Sequence, residues 1–211
     1  MDKATIWQHI HEERRSLAAT LAGLDDEQWE QPSLCEGWTV KEVAAHVIAH
    51  PQIGWAQMPG MVARNLGHGY NAMIFREVKR LGERSTRESI LADFQTYDSS
   101  TRKVPTTTPV EPLIDALVHH QDILRPLGLR HEMAPEAAAV AADRSRTLAF
   151  LSGSRAVVKG TRMVATDIDW SRGRGPTLTG PVQELLMVCM GRGRVAEGLS
   201  GEGTELLPAQ A

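Results

Sequence analysis

Asp115 and His119 are four residues apart, so on a helix they share one face, and Asp122 falls on that face a turn further on. A carboxylate and an imidazole projecting together from a half-buried helix is how helical bundles hold a divalent metal. The same pair also describes a core histidine merely oriented by an aspartate, and this stretch alone leaves both readings open. His46, beside the apolar face of an earlier helix, can add a third donor. A lone histidine in such a place is more often a satisfied core residue than a ligand. His50 lies four residues beyond His46, but Pro51 follows at once and is expected to end or kink the helix there. His50 therefore reads as a pocket residue rather than a ligand.

The elements that must carry these residues are helical. Leu113, Leu117 and Ile123 give the Asp115 stretch its apolar side, Pro126 weakens its last turn, and Gly128 stops it. Ile6, Ile10, Leu17, Leu21 and Leu24 recur at helical spacing, with Glu12, Glu13, Arg14 and Arg15 between them, so residues 4–23 form an amphipathic helix. Asp25 opens a short capped turn. Thr39 with Glu42 makes a capping box for a helix over 39–50, buried through Val40, Val43, Ala44, Val47 and Ile48. Residues 54–67, broken by Pro59, read as a helix end and a loop. A helix over 70–81 ends at Gly82. Another, capped near Ser85 and Thr86, runs over 86–102, and the Asp115 helix spans 111–127. Pro135 opens an alanine-rich helix to about 151.

After Gly153 the pattern changes. Residues 161–170 alternate and are rich in β-branched types, which predicts a strand. Residues 171–176 read as a turn, Thr177–Thr179 as the hairpin partner, and 181–190 as a helix. Leu206 and Leu207 can add an edge strand. The expectation is an up-and-down bundle over 1–153 and a small C-terminal α/β region over 154–211.

Composition narrows the functions. A net charge of −3 and a pI near 6.2, with no basic run, argue against nucleic acid as a main partner. No apolar run reaches the roughly 18 residues that span a bilayer, and the N-terminus lacks a signal-peptide core. Cys35 and Cys189 are far apart and form no metal or redox motif, so a reduced cytoplasmic setting is expected.

Three stretches carry a family resemblance. Trp29, Pro32–Val40, Ala45 and His46 resemble the start of the mycothiol-dependent maleylpyruvate isomerase family, of the DinB-like four-helix-bundle superfamily. Asp115, His119, Asp122, Ile123 and Arg125–Gly128 are similar to its second motif. Asp167–Gly173, Gly175, Pro176, Gly180, Leu185, Leu186, Gly191 and Arg192 resemble its C-terminal part. The resemblance implies a mainly α, DinB-like bundle holding one divalent metal, commonly zinc, at His46, Asp115 and His119. Mycothiol would take the open coordination position. The sequence departs from better-known members at Asp115, where they carry glutamate; one methylene less brings the metal nearer that helix or has it bind in another mode.

Such a metal lowers the pKa of a bound thiol, and the thiolate can attack an electrophilic small molecule. The result is S-transfer, or reversible addition that isomerises a conjugated double bond. Asp122 can accept from a ligand histidine, or serve only as a helix-end partner of Arg125. Arg125 can pair with a carboxylate of cofactor or substrate, or lie on the surface. Cys35 reads as a small buried residue rather than a nucleophile, and Trp38 and Trp55 as packing residues. A monomer or homodimer is expected. Two other classes remain open: a non-catalytic metal or thiol sensor or interaction protein, and a hydrolase activating metal-bound water with His50 or His120 as base.

Overall fold

A computed structural model describes residues 1–209; the last two residues of the expected 154–211 region lie outside the described residues. The chain is mainly helical, with a small three-stranded sheet, and separates into two compact units, Met1–His131 and Glu132–Ala211. The expected boundary lies twenty-odd residues later, after the alanine-rich helix. That helix instead packs within the second unit, because a stripe of alanines does not say which neighbour it will meet.

The first unit contains α1 (Lys3–Gly23), α2 (Asp26–Glu30), α3 (Val40–Ala49), α4 (Met58–Arg64), α5 (Tyr70–Arg84), α6 (Arg87–Tyr97) and α7 (Val110–Leu124). The expected caps of α2 and α3 are present, and the one on α6 lies a residue later than the expected Ser85–Glu88 pattern. Asp25 and Gln28 close a capping box on α2, Thr39 and Glu42 one on α3, and Thr86 one on α6 with Ser89 as partner. Its core joins Leu17, Leu21, Val43, Val47, Ile48, Ile90, Phe94 and Ile123 with Trp29 and Trp38. Trp55, expected to pack, is instead 72% exposed.

Three differences from the sequence reading have local causes. Pro59 does not break 54–67; it sits in the first turn of α4, where no intrahelical N–H is required. Gly82 does not end α5, which runs to Arg84; it is a point of close approach, since a Cβ there would lie 2.5 Å from Glu42 Cγ on α3. The four charges inside the first apolar stripe are not all solvated. Glu13 and Arg14 are buried at 7% and 1% exposure: Arg14 shares one face of α1 with residues 10, 17 and 21, and Glu13, beside that face, meets His120 and His131.

In the second unit α8 (Pro135–Leu148) packs on α10 (Val182–Cys189), beside α9 (Arg155–Gly160), β1 (Arg162–Ala165), β2 (Ser171–Gly173) and β3 (Thr177–Gly180). The sheet order is β2-β1-β3, with β1 antiparallel to β2 and parallel to β3. The expected hairpin from 161–170 to 177–179 does not form. The stretch read as a turn supplies the antiparallel strand, and the chain then crosses to the other edge. Gly175 permits that crossing: its φ is +112°, and a Cβ would meet Gly160 O at 2.4 Å. Residues 202–206 form a 3₁₀ turn rather than an edge strand, and Ser200 makes the bridge to Thr179. Among the described residues, no helix is long and apolar enough to cross a membrane.

Candidate metal centre

The side chains singled out by spacing converge on one carboxylate. His46 Nε2 on α3 lies 3.2 Å from Asp115 Oδ1, and His119 Nε2, one turn along α7, lies 3.3 Å from the same oxygen. His50 Nδ1 lies 3.4 Å from Asp115 Oδ2. The His46 ring meets those of His50 and His119 nearly edge-on, at centroid distances of 4.9 and 5.2 Å. The donor atoms of His46, His50 and Asp115 all lie within 4.8 Å of one another. His50 is thus as close to the carboxylate as His46, which the expected break at Pro51 had discounted. The chain stays helical through His50 (φ −52°, ψ −47°) and tightens into a 3₁₀ turn over His50–Gln52, preserving the i, i+4 relation.

The other nitrogen of His119 is also held. His119 Nδ1 lies 2.8 Å from Asp122 Oδ2, and Asp122 is fully buried. A proton on Nδ1 donates to this carboxylate, which leaves Nε2, facing Asp115, as the nitrogen a metal would take in exchange for its proton. Cys35 reaches the same place from the loop before α3. Its thiol donates to Asp122 Oδ2 at 3.1 Å and lies 3.5 Å from His119 Nδ1. Sequence gave no sign of this, because the contact joins residues 84 and 87 positions apart. Leu34 N, donating to the backbone oxygen of Asp122 at 3.0 Å, anchors the loop. Trp38 covers the cluster, its ring 5.4 Å from His46 and 6.2 Å from His119. Arg125 is engaged one turn back along its own helix, where its Nε donates to Gln121 Oε1 at 2.9 Å.

The electrostatics are those of a buried carboxylate ringed by imidazoles. Burial would raise the Asp115 pKa, but His50, His46 and His119 outweigh it and hold the group well below the usual carboxylate range. Burial pushes His50 down to about 4, against the opposing pull of Asp115. Burial also disfavours a charge on His119, yet Cys35, Asp115 and Asp122 together raise its pKa well above the usual value. Two further groups feel the cluster. Arg14 is lowered to about 10 by burial, against attraction by Asp115, and donates to the Tyr97 and Ser100 carbonyls. Tyr70, at the start of α5, is raised by burial and by the Asp115 charge. The 10, 14, 17, 21 stripe could have flagged Arg14; nothing in the sequence flags Tyr70.

Among the described residues, Asp115 Oδ2 is buried without a hydrogen-bond partner; His50 is near it but outside hydrogen-bond geometry. An orphaned carboxylate oxygen among three imidazoles is the donor set that a zinc-class cation satisfies. The residues present therefore fit a divalent metal at Asp115.

Comparison with known proteins agrees with the motifs. Two solved structures, a mycothiol-dependent maleylpyruvate isomerase and a histidine-to-alanine mutant of it, superpose with a TM-score of 0.65 over 100% of this chain and 97% of theirs. They are 14% identical to it, so the likeness concerns the fold. No curated protein matches in sequence. Residues 10–112, which include His46 and stop just short of Asp115, match the family described as the mycothiol maleylpyruvate isomerase N-terminal domain.

Proposed function

We propose that the protein is a metal-dependent enzyme that brings mycothiol to an electrophilic small molecule, as an S-transferase or as an isomerase of a conjugated double bond. The observation that carries the reading is the convergence of His46, His50 and His119 on Asp115, with one Asp115 oxygen left unpartnered. The family match over residues 10–112 supports mycothiol as the thiol.

His46, Asp115 and His119 are the metal-holding residues, and His50 stands close enough to the same carboxylate to join them. The shorter aspartate does not strand the carboxylate, because helices α3 and α7 bring all three imidazoles to it. A divalent metal, zinc on this donor set, would supply a Lewis acid that lowers the pKa of a thiol at its open position. Asp122 fixes the tautomer of His119 by accepting from Nδ1. The buried Arg14 balances the negative charge of Asp115 from the α1 side. Trp38 excludes water from one side of the imidazoles. The setting proposed is the cytoplasm, where mycothiol-type thiols stay reduced.

The test is an assay of purified protein with a generic electrophile and with maleylpyruvate, with and without mycothiol and metal. Turnover requiring both, and lost in His119→Ala, supports the reading. Turnover that persists without thiol refutes it in favour of a hydrolase. Metal and thiol binding without turnover of any electrophile refutes it in favour of a sensor.

A further inference from the structure

The bundle builds a second set of donor atoms from α1, α7 and the segment that follows α7. Glu13 Oε1 lies 2.6 Å from His120 Nδ1, and Glu13 Oε2 lies 3.0 Å from His131 Nε2. The two imidazoles stack, with centroids 4.2 Å apart and 28° between planes. The three donor atoms all lie within 4.8 Å of one another. Glu13 and His120 are buried, while the His131 side chain is 24% exposed and gives access. His131 is held in place from behind: Gln121 Nε2 donates to its carbonyl at 2.8 Å, and Arg125 Nε holds Gln121 Oε1.

We propose that Glu13, His120 and His131 form a second divalent transition-metal site, which clamps the segment after α7 onto α1. Two imidazoles and one carboxylate suit a zinc-class cation. Ligands about 2.0–2.1 Å from a tetrahedral ion stand roughly 3.3 Å from one another, so the two Glu13 contacts of 2.6 and 3.0 Å would each widen by a fraction of an ångström, with all three donors already within 4.8 Å. The chemistry of His120 sets the terms of the exchange. Its Nδ1 proton now donates to Glu13, and its Nε2 is fully buried with no partner among the described residues. A metal on Nδ1 moves the imidazole proton to Nε2, where it meets no acceptor among the described residues, so binding must offset the cost of a buried, unpaired N–H. A carboxylate that already gathers two parallel rings gives the ion three donors without rebuilding the backbone. The site shares no residue with the Asp115 cluster. His119 and His120 are consecutive on α7 and so point to different faces of it.

The experiment is zinc stoichiometry after equilibrium dialysis, with cobalt absorption spectra as a check on ligand type, on the full chain. Wild type is expected to hold two equivalents, His119→Ala one, His131→Gln one, and the double variant none. Zinc should raise the Tm of His119→Ala and lose that effect when His131→Gln is added. Glu13→Gln, which keeps the shape but removes the charge, should behave as His131→Gln; circular dichroism identifies a variant that fails to fold. A wild-type stoichiometry of one that depends on His119 and not on His131 overturns the proposal, as does an undiminished stoichiometry in folded His131→Gln. Failure of the Asp115 site would read differently, as one equivalent that depends on His131 and not on His119.

Discussion

Asp122→Asn isolates the part of the candidate metal centre that touches no metal. The substitution preserves size at a fully buried position and leaves an oxygen facing His119 Nδ1, now 2.8 Å away. It replaces a charged acceptor with a neutral one. A hydrogen bond to a charged group contributes about 1.5–3 kcal/mol and a neutral one about 0.5–1.5 kcal/mol, so the expected loss is about 1–1.5 kcal/mol. About 1.4 kcal/mol is tenfold, so zinc affinity should fall by about tenfold, within the 10–100-fold range usual for such supporting partners. Asp122→Ala should cost more, because His119 Nδ1 then has a buried donor with nothing to receive it, a further ~1–3 kcal/mol. The measurement is competition for zinc against a chromophoric chelator, run beside thermal melts of the metal-free proteins so that folding losses are subtracted. If Asp122→Asn binds zinc within twofold of wild type, His119 does not need that acceptor and the proposed tautomer control is wrong.

Cys35→Ser should retain metal binding and thiol transfer near wild-type levels, since a serine hydroxyl can still donate to Asp122 Oδ2, where the thiol now lies at 3.1 Å; loss of conjugation activity with metal retained would make Cys35 the nucleophile. Gly82→Ala should lower stability by about 1–2 kcal/mol in urea unfolding, because the new Cβ would press within 2.5 Å of Glu42 Cγ, which is held at its far end by Thr39 N and Lys79. An unchanged or raised midpoint would mean that α3 and α5 are not packed this closely. Acid stability should report on Glu13. Burial pushes its carboxyl up, but hydrogen bonds from His120 and His131 outweigh this and leave its pKa below the ordinary 4.5. Its stabilising contribution is therefore complete above that value and lost as the pH falls through the lower, folded-state pKa. Melts between about pH 5 and pH 3 should show wild type losing Tm more steeply than Glu13→Gln, and equal slopes would remove Glu13 from the account.

Much of the helical unit was legible in the sequence, and the sheet was not, for a physical reason. Each long helix of the first unit repeats apolar residues at its own period and carries a cap or stop that acts locally: Thr39 with Glu42, Thr86, Gly128. β2 is three exposed residues, Ser171–Gly173, with no alternation to read. Whether β3 returns as a hairpin partner or crosses to run parallel with β1 depends on how Gly175 approaches Gly160, a contact that no local pattern encodes. Proline and glycine misled in the same way. Pro59 and Pro51 lie where helical turns tolerate them, and Gly82 is required by a neighbouring helix rather than by an end of its own.

The centre shows where spacing stops being informative. His46, Asp115 and His119 could be found because each pair is set by a helix turn or by a motif. Cys35, Arg14 and Glu13 could not be placed, because what each does depends on a partner helix or loop. Yet the arrangement has a simple logic once α1 faces α7. Consecutive residues on one helix, Glu13 and Arg14, answer two different faces of the other: Glu13 receives His120, and Arg14 lies within the field of Asp115. Exchanging the order of those two charges would bring a carboxylate towards Asp115 and a cation towards His120 and His131. Asp115 would then meet like charge, and His120 would lose its acceptor to a buried cation with no counter-ion, and an unpaired buried ion is strongly disfavoured. The charges inside the first apolar stripe are thus a register mark for α1 against α7, and the same two residues that interrupt its hydrophobic pattern determine which way the histidine clusters are supported.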